Sequence, residues 1–324
     1  MLILAACGGG GGCNGKGDDS TGDTCSARLY DTFPDDGATD MCFRSDVDFR
    51  LEGDDENGVI KLVDSSGADV PGTTNPKSAG TLLSFHPDAP LAPNTAYTAT
   101  LTYCGEGSPE TFSFTTDAYG EPLAVDPTKL VGNIYAVDLK NDSRFYQPPG
   151  VANVLQPMLD RIIWLEVLDA STTGITLRLA VAADKSDSVQ DMCIPTVDFD
   201  NGTLDGPTFE VGPNDIEIPI GDVLVELQGV VASGTFSADG LTFGCGGFTG
   251  LLDTRPVVPL MGGDYDAFVC ETVGAYGAQC IACDDGEPLC LQLVVDQAVT
   301  KPPAKGVKIV EITDADVESN KDCP

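Results

Sequence analysis

Histidine and tryptophan are nearly missing from this chain, with one residue of each. A Ser-His-Asp or Cys-His catalytic set could draw only on His86, and His86 stands in a Phe-His-Pro segment ahead of a Leu-Ala-Pro turn. Packing of that turn is its expected role. The chain contains no Gly-x-Ser-x-Gly elbow, His-Glu-x-x-His pair, phosphate-binding loop or dinucleotide fingerprint. A lone Trp164 counts against a sugar cleft, which stacks aromatic rings on its ligand. Basic residues are scarce as well: 17 against 51 acids, a formal net charge of −34. Such a field repels phosphate backbones and anionic lipid surfaces, which excludes nucleic acid as a partner. Solubility is the plain meaning of the acid excess, and divalent-cation binding is the sharper one. No apolar run reaches the ~18 residues of a membrane-spanning helix.

What the chain does have is cysteine, glycine and proline: 12, 37 and 22 residues. Twelve cysteines belong on the oxidising side of a membrane, mostly in disulfides. Glycine and proline fall between short β-branched runs, a pattern of many strands and many turns. Leu4-Ala5-Ala6-Cys7 at the N-terminus resembles the lipobox of bacterial lipoproteins. That resemblance implies a diacylated Cys7 and attachment to the outer membrane or cell surface of a Gram-negative bacterium. Residues 2–4 are too short for a signal-peptide core, so a start further upstream is expected. Lipidation of Cys7 leaves an odd number of thiols, and Cys13 or Cys25 is the expected unpaired one. Residues 8–26 carry almost no apolar side chains and read as a flexible tether, the whole leader running over 1–29.

Residues 30–117 alternate with period two. Val47, Phe49 and Leu51 share one parity, as do Tyr97, Ala99, Leu101 and Tyr103, then Phe112 and Phe114. Alternation broken by Asp-Gly, Ser-Gly and Pro turns describes an antiparallel β-sandwich. Four segments in order, Pro34-Asp35-Asp36-Gly37-Ala38-Thr39-Asp40, Phe85-His86-Pro87, Leu91-Ala92-Pro93-Asn94-Thr95-Ala96-Tyr97 and Phe112-Ser113-Phe114-Thr115-Thr116, resemble the bacterial Ig-like domain of the S-layer (SbsA-like) type. The resemblance implies a spacer or adhesion module without catalytic residues. Tyr97 takes a place like that of a tyrosine corner, and Cys42 and Cys104 are the expected disulfide partners within the unit.

Residues 118–324 resemble no family. Strands are expected at 133–139, 162–168, 175–182, 216–220 and 223–236, with a pair at 289–294 and 307–312. Short helices are expected at 151–161 and 264–278. An open antiparallel sheet or sandwich stapled by disulfides follows. Cys270, Cys280, Cys283 and Cys290 form a cluster whose Cys-Ile-Ala-Cys spacing would also suit a zinc knuckle or a redox pair. Neighbouring Asp284 and Asp285 disfavour thiolates, so staples are expected, with Cys193, Cys245 and Cys323 also bonded. Asp198, Asp200, Asn201 and Asp205 surround Gly202 as oxygen ligands of a Ca²⁺ loop would, or as an ordinary Asx turn does. No other cofactor is expected. The chain as a whole reads as a mainly β, non-enzymatic envelope lipoprotein with an Ig-like spacer. Its β-rich domain would meet an envelope or extracellular protein or a glycan. The alternative is a carboxylate-based, glycan-directed hydrolase with an Ig-like accessory domain.

Overall fold

A computed structural model describes residues 25–105, 109–141, 144–147, 159–183, 188–220, 223–274 and 278–323. Cys7 and Cys13 therefore lie outside the described residues, as does most of the expected 151–161 helix.

The alternating runs of the first unit become seven strands. β1 (Arg28–Phe33), β2 (Val47–Glu52), β5 (Leu82–Pro87) and β4 (Gly72–Lys77) form one sheet in that order. β3 (Val59–Asp64), β6 (Ala96–Thr102) and β7 (Glu110–Thr115) form the other. This is the strand order of a constant-type immunoglobulin sandwich. Val47, Phe49, Leu83 and Phe85 from the first sheet meet Leu62, Ala99, Leu101 and Phe114 from the second, all nearly inaccessible to water. Tyr97 Oη accepts a hydrogen bond from the Ala92 amide at 2.9 Å, which closes the tyrosine corner. The antibody cysteine two positions on is replaced by Ala99, buried in the core.

The expected Cys42–Cys104 bridge is not formed. Cys104 bonds Cys25, and Cys42 bonds Cys245 from the second unit. Order consequently begins earlier than the composition implies. Cys25 is fixed, Ala27 is buried, and β1 starts at Arg28 within the span expected to be tether.

The second unit is a ring, not an open sheet. Its strands are β8 (Ile134–Val137), β9 (Arg144–Gln147), β10 (Ile163–Ala170), β11 (Gly174–Val181), β12 (Val197–Asp205), β13 (Thr208–Ile220), β14 (Val223–Phe236), β15 (Phe243–Asp253), β16 (Cys290–Ala298) and β17 (Thr300–Lys301). Their pairing runs β17-β8-β10-β11-β12-β13-β14-β15-β16-β9. β17 continues β16 after one residue, and it pairs back onto β8 through Thr300 opposite Val137. β9, further along the chain from β8, pairs with β16 through Asp296 opposite Arg144. With β8/β9 and β16/β17 each counting as one broken strand, the sheet closes as an eight-stranded up-and-down barrel. Closure leaves the sheet without long free edges.

Bulges supply the curvature that closure needs. Positive φ at Asn201, Gly212, Gly229, Cys245 and Gln297 falls at or beside the places where the ladder register shifts. Gly212 is obligatory, because a Cβ there would lie 2.2 Å from the Val230 carbonyl oxygen. Tyr135, Phe209, Phe236 and Phe243 pack as an aromatic cluster inside the barrel, with centroids 5.0–6.2 Å apart.

Three local expectations change. Residues 307–312 form no strand. Gln190 instead exchanges two 2.8 Å bonds with the Val310 backbone, and Thr196 bonds Ile312, so side chains do the work of a strand partner. This segment lays Val307 and Ile309 over Trp164, which is fully buried on the outer face of the barrel. The helix expected at 264–278 starts later, as α1 (Phe268–Gly274), with 275–277 outside the described residues, and a second helix, α2 (Asp314–Ser319), begins with a Thr313/Asp316 capping box. His86 sits on β5 rather than in a turn, with Nδ1 2.8 Å from Asp46.

Candidate functional site

The two units meet at a junction built from the chain before β2 and the facing ends of β15 and β16. Cys42 and Cys245 bring their Cα atoms to 5.2 Å across it. The Cys42 amide donates to Gln297 Oε1 at 3.2 Å, and Gln297 Nε2 donates to Ser45 Oγ. Tyr119, just past β7, lies flat on Gly244, where a Cβ would come 2.2 Å from its ring, and its hydroxyl reaches Thr242 at 3.3 Å. Both barrel residues at the heart of this contact, Cys245 and Gln297, have left-handed backbone, with φ of 50° and 58°. Non-glycine residues hold that conformation only where their surroundings fix it.

Two clefts flank the bridge. One, of about 480 Å³, lies between Arg44, Ser45 and Asp46 on the sandwich and Thr249, Val294 and Phe248 on the barrel. The other, of about 490 Å³, holds Asp35, Asp40 and Asp117 beside Asn141 and Gln297. Arg44 is half-buried above the Phe43 ring at 5.7 Å, and Nη2 donates to the Cys245 carbonyl at 3.4 Å. Burial pulls its guanidinium below the usual arginine range, partly offset by the fields of Glu210 and Asp117. Among the described residues it forms no ion pair. Asp117 is the most perturbed carboxyl here. Burial raises it to about 7, Asp40 adds to the rise, and the Tyr119 amide and Arg44 oppose it.

A third space lies inside the barrel. It measures about 70 Å³, and its walls include Ile163, Leu165, Phe209, Leu227 and Ala298, with Ser233 the one polar side chain among the described residues that line it. Ser233, Gly247 and Phe248 line both this cavity and the Arg44 cleft.

The cysteines expected to be staples are staples. Cys270 bonds Cys280, Cys283 bonds Cys290, and Cys193 bonds Cys323. Cys-Ile-Ala-Cys is therefore divided between two bridges, which leaves no dithiol pair. Three-ligand groups of the metal-binding kind among the described residues are Cys25–Asp55–Cys104 and Cys42–Asp117–Cys245, and in both the sulfurs are already bonded to each other. The residues read as a calcium loop or Asx turn lie along β12 instead. Asp198 is engaged bidentately by Arg178 at 2.6 Å, Asn201 forms a bulge, and Asp200 and Asp205 are exposed. The reversal comes later, at Gly206 and Pro207, between Asp205 and its partner Thr208. Among the described residues no helix is long and apolar enough to cross a membrane.

The junction itself escaped the sequence reading. Cys245 stands among Gly244, Gly246 and Gly247, and a cysteine in a run without side chains marks close approach of another chain segment.

No family model and no curated protein matches the chain. Among solved structures it is similar to the copper resistance protein PcoC from Escherichia coli, at 15% identity over 28% of this chain and 99% of that one, with a TM-score of 0.23. The Ig1-2 module of the Drosophila receptor protein tyrosine phosphatase DLAR matches at 12% identity over 48% of this chain and 90% of that one, with a TM-score of 0.20. The cycloalternan-forming enzyme from Listeria monocytogenes matches at 12% over 69% of this chain and 21% of that one, with a TM-score of 0.17.

Proposed function

We propose that this protein is a non-enzymatic envelope lipoprotein, held to the outer membrane through a lipid on Cys7, whose SbsA-like Ig unit mounts a barrel that binds an envelope or extracellular partner. The observation that carries this reading is the covalent mounting. The chain enters the sandwich at Cys25, which is bonded to Cys104, and the sandwich is bonded to the barrel through Cys42 and Cys245. A pull on the tether would thus pass through disulfides before it could peel β1 from its sheet. Five bridges fit an exported protein. Among the described residues that line the barrel cavity, none is titratable.

The experiment is fractionation of the native host with intact-mass analysis of the mature N-terminus and protease shaving of whole cells. Diacylated Cys7 on a shaving-sensitive protein is the expected result. An unmodified chain in the medium refutes the anchor.

A second reading, a glycan-directed hydrolase, draws on one feature. Asp117, at about 7, can carry a proton at neutral pH beside Asp40 in the larger cleft. Hydrolysis of a polysaccharide panel that Asp117→Asn abolishes would establish it and displace the non-enzymatic reading.

A further inference from the structure

β16 carries a bulge opposite Gly247. The β15–β16 ladder pairs Phe248 with Val295 and Gly246 with Ala298, so Asp296 and Gln297 together face one residue. A regular strand sends neighbouring side chains to opposite faces. Here the bulge brings both Asp296 and Gln297 to the cleft that Arg44 and Ser45 also line. It comes at a conformational cost, since the φ of 58° at Gln297 is one that glycine adopts freely. What glycine lacks is the carboxamide, and both of its ends are engaged. Oε1 accepts from the Cys42 amide at 3.2 Å, and Nε2 donates to Ser45 Oγ. The reverse orientation is closed, because a backbone N–H cannot accept a hydrogen bond.

Cys42 and Ser45 stand on one turn, closed by the Ser45 amide on the Cys42 carbonyl at 3.1 Å. The Cys42–Cys245 disulfide fixes that turn against β15. A hydroxyl nucleophile therefore touches the nitrogen of a carboxamide whose carbonyl carbon lies one C–N bond (about 1.33 Å) further on. A backbone N–H already points at the oxygen on which negative charge would develop during attack. Asp296 places a carboxylate, the group that proton transfer needs, in the lining of the same cleft. Ser45 and Gln297 are both half-buried, which limits competition from water. The cleft beside them leaves a small product a way out.

We propose that Ser45 and Gln297 become joined by an ester, a second covalent bond between sandwich and barrel. Ser45 Oγ adds to Gln297 Cδ, and the Cys42 N–H meets the charge on Oε1. The Cδ–Nε2 bond then breaks. The Oγ proton passes through Asp296 to the departing nitrogen, which leaves as ammonia. A hydroxyl and a carboxamide thus become an ester and ammonia, with nothing oxidised or reduced and no further reactant consumed. The bond lies beyond the binding role proposed for the barrel and does not depend on the lipid anchor.

Mass spectrometry of the full chain, reduced and denatured, tests the idea. The wild type is expected to be one ammonia (about 17 Da) lighter than its covalent composition requires, and Ser45→Ala to have full mass. Digestion should release one cross-linked pair of peptides holding Ser45 and Gln297, 252 positions apart. Neutral hydroxylamine, which cleaves esters and needs no variant, should separate that pair. Asp296→Asn should leave most of the chain at full mass. A wild type at full mass overturns the inference. So does a loss that survives Ser45→Ala, or one that maps to a succinimide at Asn57-Gly58 or Asn201-Gly202. Complete cross-linking in Asp296→Asn would overturn the role of Asp296. A shaving-sensitive, diacylated protein without the cross-link would sink this inference alone. A secreted, cross-linked protein with an unmodified Cys7 would sink the anchor alone.

Discussion

Asp117 gives the structure a measurable dependence on pH. Burial raises its carboxyl from 3.8 to about 7, so the folded protein holds a proton there that the unfolded chain has released. Where the native state binds more protons, stability falls as pH rises, here from about 4 to about 7, and the full penalty persists above. A rise of about three units would amount to roughly 4 kcal/mol if the group were sealed off. Asp117 is partly open to the cleft, and water screening reduces this to roughly 2 kcal/mol. Asp117→Asn removes the charge and keeps an oxygen for the Tyr119 amide, now bonded at 3.1 Å. Thermal melts of the two proteins at pH 4 and pH 8 are the assay. The variant should melt roughly 4–8 °C higher at pH 8, given ~2–4 °C per kcal/mol for chains of about this size. At pH 4 the two should coincide. An equal gain at both pH values, or none at pH 8, would show that the ionised carboxylate costs the fold nothing and that the junction is wetter than its geometry implies.

The remaining tests bear on the barrel. Glu217 and Glu226 stand directly opposite each other on β13 and β14, and burial together with Asp314 and Glu226 raises Glu217. Glu217→Gln should therefore stabilise by up to about 1 kcal/mol at neutral pH in urea melts, and the gain should shrink in high salt to the part that burial alone contributes. Gly212→Ala would force a Cβ into the Val230 carbonyl at a φ of 106°, and a loss of about 3 kcal/mol or more in urea denaturation is expected. A loss under about 1 kcal/mol would mean that the β13 bulge is not needed for closure. Gln190→Ala deletes both bonds to Val310, so the 310 amide should lose hydrogen-exchange protection while Leu227, inside the barrel, keeps its own.

The sandwich was legible in the sequence because its information is local. Val47, Phe49 and Leu51 declare a buried face by parity alone, and Tyr97 needs only Ala92, five residues away, to form its corner. The barrel is a different case. Its strands could be read one at a time, and the expected 223–236 run is β14 to the residue. Closure instead depends on Thr300 finding Val137 and on Asp296 finding Arg144, contacts that leave no periodic trace. The bends that permit closure fall partly on Cys245 and Gln297, whose left-handed backbone no propensity announces, and on Asn201, whose type favours it without saying whether a turn or a bulge results. Asp200-Asn201-Gly202 misled for this reason, since the same residue types make a turn or a bulge, and only the neighbouring strands decide between them.

The cysteines divide along the same line. Cys270–Cys280 and Cys283–Cys290 span 10 and 7 residues and could be expected from proximity. Cys42–Cys245 spans 203 and exists only because the sandwich and barrel already touch. Loop-closure entropy makes such a bridge worth about 5 kcal/mol, against roughly 2.5 for the short ones, before the other bridges shorten its effective loop. The most stabilising link is thus the one that sequence could not supply. It also holds together the walls of both junction clefts. Cys42→Ala with Cys245→Ala should therefore separate the thermal unfolding of sandwich and barrel into two transitions by calorimetry, leaving the interior cores intact. A single unshifted transition would show that the Gln297 and Tyr119 contacts couple the units without the disulfide, and that the clefts do not depend on it.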